Sequence, residues 1–257
     1  MNIFKASLSI TLVCAVIASC TKVEVADNSS ISQTTSDDLT FPVTNEFSGC
    51  KIRRIYHADA FSDGVVTGLF TYNAAGNPYS VTYDAVGTGN QNHYFYYDKM
   101  GRLKEYRRRY SPNDPVEEMR HVYGYDANNR ISTDSLLNTW GGVFRVSTLT
   151  YDSVGRVVKE STKDLYNTTA PVRVVTYTYD SRGNLAVAGW KSSSYDYNKV
   201  SIFRSHPVFQ FIHRNYSRNN AAPQPKYNSK GLPLSMNPGN DMFFNSSTIT
   251  KAVYDCN

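Results

Sequence analysis

Four aspartates recur at near-constant spacing, and paired carboxylates are what a glycoside hydrolase uses. Asp98, Asp126, Asp152 and Asp180 each follow a tyrosine. Acid–base cleavage of a glycosidic bond needs two carboxyl groups flanking one bond, at ~5–10 Å. Here each aspartate instead opens the same short string, with Gly101, Asn129, Gly155 and Gly183 three residues on. An aspartate in that place bonds its side chain to backbone two residues later. A glycine or asparagine at the third position accepts the positive φ of a type I turn with a following bulge. The carboxylates are therefore expected to form turns. Other catalytic signatures are missing. The histidines His57, His93, His121, His206 and His213 show neither HExxH nor a Cys/His ligand spacing. Asp126-Ala127-Asn128 is followed by Arg130 where a calcium loop needs an oxygen ligand. Gly87-Thr88-Gly89-Asn90 lacks the third glycine and the helix of a dinucleotide site, and there is no G-x-S-x-G elbow. The expectation is a protein with no enzymatic activity, no metal and no cofactor.

Two features fit binding. Lys104, Arg107 and Arg109 lie on one predicted strand, where alternation puts Arg107 and Arg109 on the same face and Arg108 on the other. They could hold an anion, or they could be edge charges that block strand addition. The second feature is the excess of tyrosine, 20 residues, all after position 55. Aromatic rows on a sheet can stack on sugar rings, and they also pack across strands with no ligand.

The elements that position these residues follow from a repeat. Tyr-Asp-x-x-Gly-(Arg/Asn)-apolar occurs at Tyr97–Leu103, Tyr151–Val157 and Tyr179–Leu185, with Asn129 in the glycine position of Tyr125–Ile131. Degenerate copies start at Tyr72 and Tyr227. The first five tyrosines are 25, 28, 26 and 28 residues apart. Around the turns lie β-formers such as Tyr94-Phe95-Tyr96-Tyr97 and Val174-Val175-Thr176-Tyr177. Between hairpins come longer connections, among them Ser111–Pro115, Asn138–Gly142 and Asn167–Pro171. One period is thus strand, tight turn, strand, looser turn, with strands of ~8–10 residues. This predicts an all-β fold, an antiparallel meander of repeated hairpins with about ten to twelve strands. Residues 195–222 break the period and are expected to be an irregular insertion that packs over one end of the sheet. Residues 248–254 alternate as a closing strand.

The copies resemble the YD repeats of Rhs-type proteins over roughly residues 68–235. In large members of that family many repeats wind a β-sheet into a shell around a toxin, and members have been associated with carbohydrate binding. With six copies, this chain is more similar to small envelope lipoproteins that carry a few such repeats.

The N-terminus reads as an address. Lys5 precedes an uncharged, mostly apolar stretch over residues 6–19, with small residues before Cys20. That is the layout of a secretory signal, too short for a comfortable membrane span. Ile17-Ala18-Ser19-Cys20 resembles a bacterial lipobox, which implies a signal peptide over 1–19, lipidation of Cys20, and cleavage before it. Thr21, where many inner-membrane lipoproteins have aspartate, implies the outer membrane. Residues 21–48 carry net charge −4 and are rich in Ser, Thr and Asn. With Cys20 they read as a disordered tether over 20–49. The body, residues 50–257, is left with net charge +8. Its neighbours are then the membrane, reached through the lipid, and an anionic glycan or envelope protein, with nucleic acid excluded by the compartment.

Cys14 leaves with the signal and Cys20 with the lipid, so Cys50 and Cys256 remain at the two ends of the body. In an oxidising compartment two such cysteines pair, the alternative being two separate buried thiols. The functional expectation is binding or scaffolding at the cell envelope, with glycan binding one form of it. The alternatives are a structural component of an outer-membrane complex with no small ligand, and an unrecognised hydrolase.

Overall fold

The structure, a computed structural model, describes residues 49–58, 64–86, 91–114, 117–186, 195–221, 224–236 and 249–256. Cys20, the signal and the tether up to residue 48 lie outside the described residues.

Each motif turn is held by its first residue. Asp126 Oδ1 accepts the amides of Asn128 and Arg130, both at 2.9 Å, while Asn129 N donates to Asp126 O at 3.0 Å. Asn129 stands at φ 58°, the left-handed region that glycine occupies in the other copies. The same contacts recur around Asp98, Asp152 and Asp180, and around Asn228 in the degenerate copy. A register shift at Gly124/Tyr125 marks the bulge that accompanies this turn.

Among the described residues, eleven strands form one antiparallel sheet. They are β1 (Cys50–Ala58), β2 (Val65–Tyr72), β3 (Pro78–Tyr83), β4 (Asn92–Tyr97), β5 (Leu103–Arg109), β6 (Met119–Tyr125), β7 (Ile131–Leu137), β8 (Val143–Tyr151), β9 (Val157–Asp164), β10 (Arg173–Thr176) and β15 (Ile249–Cys256). Each of the first ten pairs with its chain neighbour, and β15 returns to pair with β1, as a meander of hairpins requires. Four short strands make two separate pairs, β11 (Thr178–Tyr179) with β12 (Leu185–Ala186) and β13 (Tyr195–Val200) with β14 (Asn219–Ala221).

Further hydrogen bonds link these pieces into a circuit. Tyr177 N donates to Val158 O at 2.9 Å, Asn219 N to Asn184 Oδ1 at 2.9 Å, Val200 N to Gly231 O at 3.0 Å, and Ala252 N to Leu234 O at 2.7 Å. The path thus leads from β10 through the short strands to residues 231–234 and back to β15. On the β15 side, the Ala252–Leu234 bond and the Met236–Ile249 bridge cover part of the strand edge. The seam between β1 and β15 carries a disulfide, since Cys50 and Cys256 face each other in register with Cα atoms 4.1 Å apart.

One face of the sheet is the core. Ile55, Phe70, Val81, Phe95, Tyr106 and Tyr123 are buried there. Against it packs a short helix α1 (Pro207–His213), whose Phe209 meets Phe70 and Phe95 edge-on and whose Phe211 meets Tyr123 at 5.2 Å between ring centroids. The irregular segment therefore places its apolar residues on the core face of the sheet. Pro207 sits at the first helical position, and His206 Nδ1 accepts Val208 N at 3.1 Å.

The motif tyrosines tie one hairpin to the next. Tyr97, Tyr125 and Tyr151 donate their hydroxyls to the carbonyls of Pro78, Leu103 and Ile131, at 2.7, 2.7 and 2.6 Å. Each acceptor is the last residue of the preceding motif copy. Tyr72, Tyr179, Tyr195 and Tyr254 make equivalent bonds to Ile52, Val157, Leu185 and Pro233. The motif arginine completes the joint: Arg102 binds Asp98 through Nε at 2.8 Å and lies 4.3 Å over the Tyr125 ring. Arg156 does the same with Asp152 and the Tyr179 ring. Burial pushes the Tyr97, Tyr125 and Tyr151 hydroxyls above their ordinary range, so they remain protonated donors.

Candidate functional site

The predicted site residues separate into three groups. The turn residues Asp98, Gly101, Asp126, Asn129, Asp152 and Gly155 lie at hairpin tips along one rim of the sheet, and Asp180 and Gly183 lie at the tip of the separate β11–β12 pair. In the first three copies the Asp carboxylate is bonded by its own turn amides and by the motif arginine. Cys50 and Cys256 form the seam. Lys104 is exposed, but Arg107 and Arg109 are not free cations. Arg107 pairs with Glu105 and, at 2.6 Å, with Glu117, and Arg109 also pairs with Glu117. Arg120 adds a bond to Glu105 at 3.0 Å, and the Arg107 guanidinium lies 4.6 Å over the Tyr96 ring. Burial alone would raise the Glu105 carboxyl, yet Arg120 and Arg107 hold it below its usual range. β5 lies between β4 and β6 in the sheet, so edge protection does not account for these charges.

A polar chain crosses the core face. His93 Nδ1 and the Tyr106 hydroxyl are 2.6 Å apart, and His121 Nδ1 is 2.7 Å from Asp134 Oδ1. Arg214, in the left-handed cap position after α1, donates to Asp134 Oδ2 at 3.0 Å and to Glu160 Oε2 at 3.2 Å. Burial would raise the Asp134 carboxyl, but His121 and Arg214 together lower it. A His–Asp pair can serve general-base chemistry. Here Arg214 engages both carboxylates and docks the end of α1 on the sheet, which is a structural task.

The motif tyrosines, being bonded internally, offer no row for a sugar. Among the described residues the two most exposed aromatics are elsewhere, at the rim opposite the motif turns. Trp140 is 90% exposed at the β7–β8 tip and Tyr166 is 71% exposed in the β9–β10 connection. Asn138 organises both. Its Oδ1 accepts the amides of Trp140 and Gly142 at 3.0 and 2.9 Å, and Gly141 stands at φ 81°. Its Nδ2 donates to the Tyr166 hydroxyl at 2.5 Å. Asp164 Oδ1 accepts the amides of Tyr166 and Asn167, both at 2.9 Å, and those bonds hold its carboxyl below the usual range. Phe144 backs Tyr166 at 6.3 Å, with the Arg145 guanidinium 5.1 Å from the Phe144 ring. The Asn138 turn is thus a copy of the tight motif turn, where the sequence suggested a looser connection. Asn138 followed by Gly141 was the signal.

A Trp-sized side chain presents ~150–250 Å². Its exposure leaves roughly 4–6 kcal/mol of burial free energy unused by the fold. The chain enters the body at Cys50, beside the Tyr72–Ile52 bond at the motif-turn rim. The aromatic tips are therefore on the rim opposite the one where Cys50 begins β1.

No family model matches the chain, and no curated protein matches it. Among solved structures, it is similar to a porin-like protein from Bacteroides uniformis ATCC 8492, at 12% identity and TM-score 0.45, over 85% of this chain and 100% of that one. It is also similar to part of a TcdB2-TccC3-Cdc42 structure, at 19% identity and TM-score 0.23, over 48% of this chain and 7% of that one.

Proposed function

We propose that this is a lipid-anchored envelope protein of the YD-repeat type, acylated at Cys20 and held at the outer membrane. Its body binds glycan by stacking sugar rings on Trp140 and Tyr166, with no catalytic step. The observation that carries the reading is the Asn138 side chain, which bonds both the Trp140 amide and the Tyr166 hydroxyl while the two rings stay in water. Backbone and hydroxyl positions ordered before binding avoid part of the ordering cost of association. Asn167 and Arg145 supply polar groups beside the rings. The lipobox and the acidic stretch after it support the anchor, and the repeated Tyr-Asp turn supports the repeat type.

The test is a titration of the purified protein with cell-envelope and dietary polysaccharides, read by tryptophan fluorescence and thermal shift. A saturable response that is lost in Trp140→Ala and weakened in Tyr166→Ala is expected. A response that survives both substitutions would move the site elsewhere. The exposed Val143, Leu165, Val172 and Val174 around the same tips favour a second reading, a protein partner in an envelope complex. A folded protein that answers to no polysaccharide supports that reading.

A further inference from the structure

The strand β1 breaks its own alternation. Ile52 and Ile55 are both fully buried, and the two residues between them, Arg53 and Arg54, are both exposed. A register shift against β15 accounts for this: Ile52 faces Tyr254, yet Arg54 already faces Val253. The bulge carries one extra residue and turns two consecutive guanidinium groups to the same side. Bulges are retained where a strand must re-aim a side chain, and here the result is a basic pair in a groove. The groove has a volume of about 470 Å³ and is lined by Arg53, Arg54, Tyr56, Leu69, Phe70, Thr71 and Val253.

Its walls divide by chemistry. Val253, Arg54 and Leu69 form one cross-strand row, and Leu69 is 40% exposed. The charge is unbalanced. Arg53 pairs with Asp255 at 2.5 Å, both side chains being half exposed, so that pair is weak and exchangeable. Among the described residues Arg54 has no ion-pair partner. Lys251 lies over the Tyr56 ring at 5.5 Å and Lys51 over the Tyr72 ring at 5.4 Å, adding positive charge on both flanks. The contrast with Arg107 and Arg109 is direct, because those are already paired with glutamates.

We propose that this groove is an anion-binding site for a carboxylate- or phosphate-bearing ligand with an apolar ring or chain. The anion sits on the Arg53 and Arg54 guanidiniums, which present paired N–H donors, and the apolar part lies on Leu69, Val253 and the Tyr56 ring. This site stands apart from the Trp140 platform and holds whether or not that platform binds glycan.

The test is calorimetric titration of the full chain with glucuronic acid and, separately, inorganic phosphate, at low salt and concentrations up to the order of 10 mM. Saturable binding of at least one is expected, weakened about ten-fold or more in Arg54→Gln and only partly restored in Arg54→Lys, which keeps the charge but loses the fork. Lys163→Gln, an exposed cation on β9, should bind as the wild type does. Binding of glucuronic acid alone assigns an acidic sugar, and binding of phosphate alone assigns a phosphorylated group. Among the described residues Arg54 makes no ion pair, so Arg54→Gln should unfold at the wild-type temperature. No saturable binding of either probe, or equal affinity in Arg54→Gln, overturns the proposal.

Discussion

Replacing motif tyrosines with phenylalanine tests whether their hydroxyls couple successive hairpins. In Tyr125→Phe the ring stays, so its packing and much of the contact with Arg102 at 4.3 Å survive. What is lost is the 2.7 Å bond to the carbonyl of Leu103, a residue with no exposed surface. A neutral hydrogen bond contributes about 1 kcal/mol net, and a buried group left unsatisfied costs about 1–3 kcal/mol. Each substitution should therefore cost about 1–2 kcal/mol. For a body of this size that lowers the unfolding midpoint by roughly 2–8 °C. Successive motif tyrosines are two strands apart, about 9–10 Å, where effects add. The triple variant of Tyr97, Tyr125 and Tyr151 should then lose about 3–6 kcal/mol, a large share of the ~5–15 kcal/mol that holds a domain together. Urea unfolding followed by circular dichroism reads this as a lower midpoint at unchanged slope. Tyr166→Phe is the control, because its hydroxyl bond is on the surface and should cost no more than about 0.5 kcal/mol. A triple variant within about 0.5 kcal/mol of the wild type, or no worse than the control, would refute the coupling.

Two further outcomes are expected. The Cys50–Cys256 bond closes nearly the whole body, with 206 residues of separation, and chain entropy gives up to about 5 kcal/mol for so long a loop. Replacing both cysteines with serine should lower the unfolding midpoint markedly and make it insensitive to reductant, and an unchanged midpoint would mean that the β1–β15 hydrogen bonds hold the seam alone. Burial lowers the His206 and His213 imidazoles to about 3, below the ~6.5 of an unfolded chain, so the unfolded state binds more protons between these values. That contribution is fully present above about pH 6.5 and is lost as pH falls toward 3. The thermal midpoint should therefore drop from pH 7 to pH 5, less steeply in His206→Asn, which keeps an N-cap acceptor; a midpoint that rises or stays level over that span contradicts it.

The hairpins were legible in the residues because every contact that makes them is local. Asp126 bonds amides two and four residues away, and Asn129 needs only a tolerance for positive φ. The all-β class followed from the same turns and the β-formers beside them. The Glu105–Arg107 pair, two residues apart on one face, was open to the same alternation argument but was not drawn from it, and Glu117 reaches Arg107 and Arg109 only across the β5–β6 connection. Other features depended on register between distant strands. The Tyr125 hydroxyl finds its acceptor 22 residues back, and the Arg53–Arg54 bulge exists only because β15, from the far end of the chain, pairs with β1. The three-residue step from Ile52 to Ile55 hinted at that bulge without showing what faced it. The seven-residue helix was too short for periodicity to reveal, and the Arg214 contacts with Asp134 and Glu160 place it. The sequence by itself thus determined the repeating hairpin, through contacts spanning four residues or fewer. Which tyrosines are consumed inside the fold, which cations are paired and which aromatics remain in water were decided only by the tertiary structure, because burial and ion pairing depend on what strands far apart in sequence bring together.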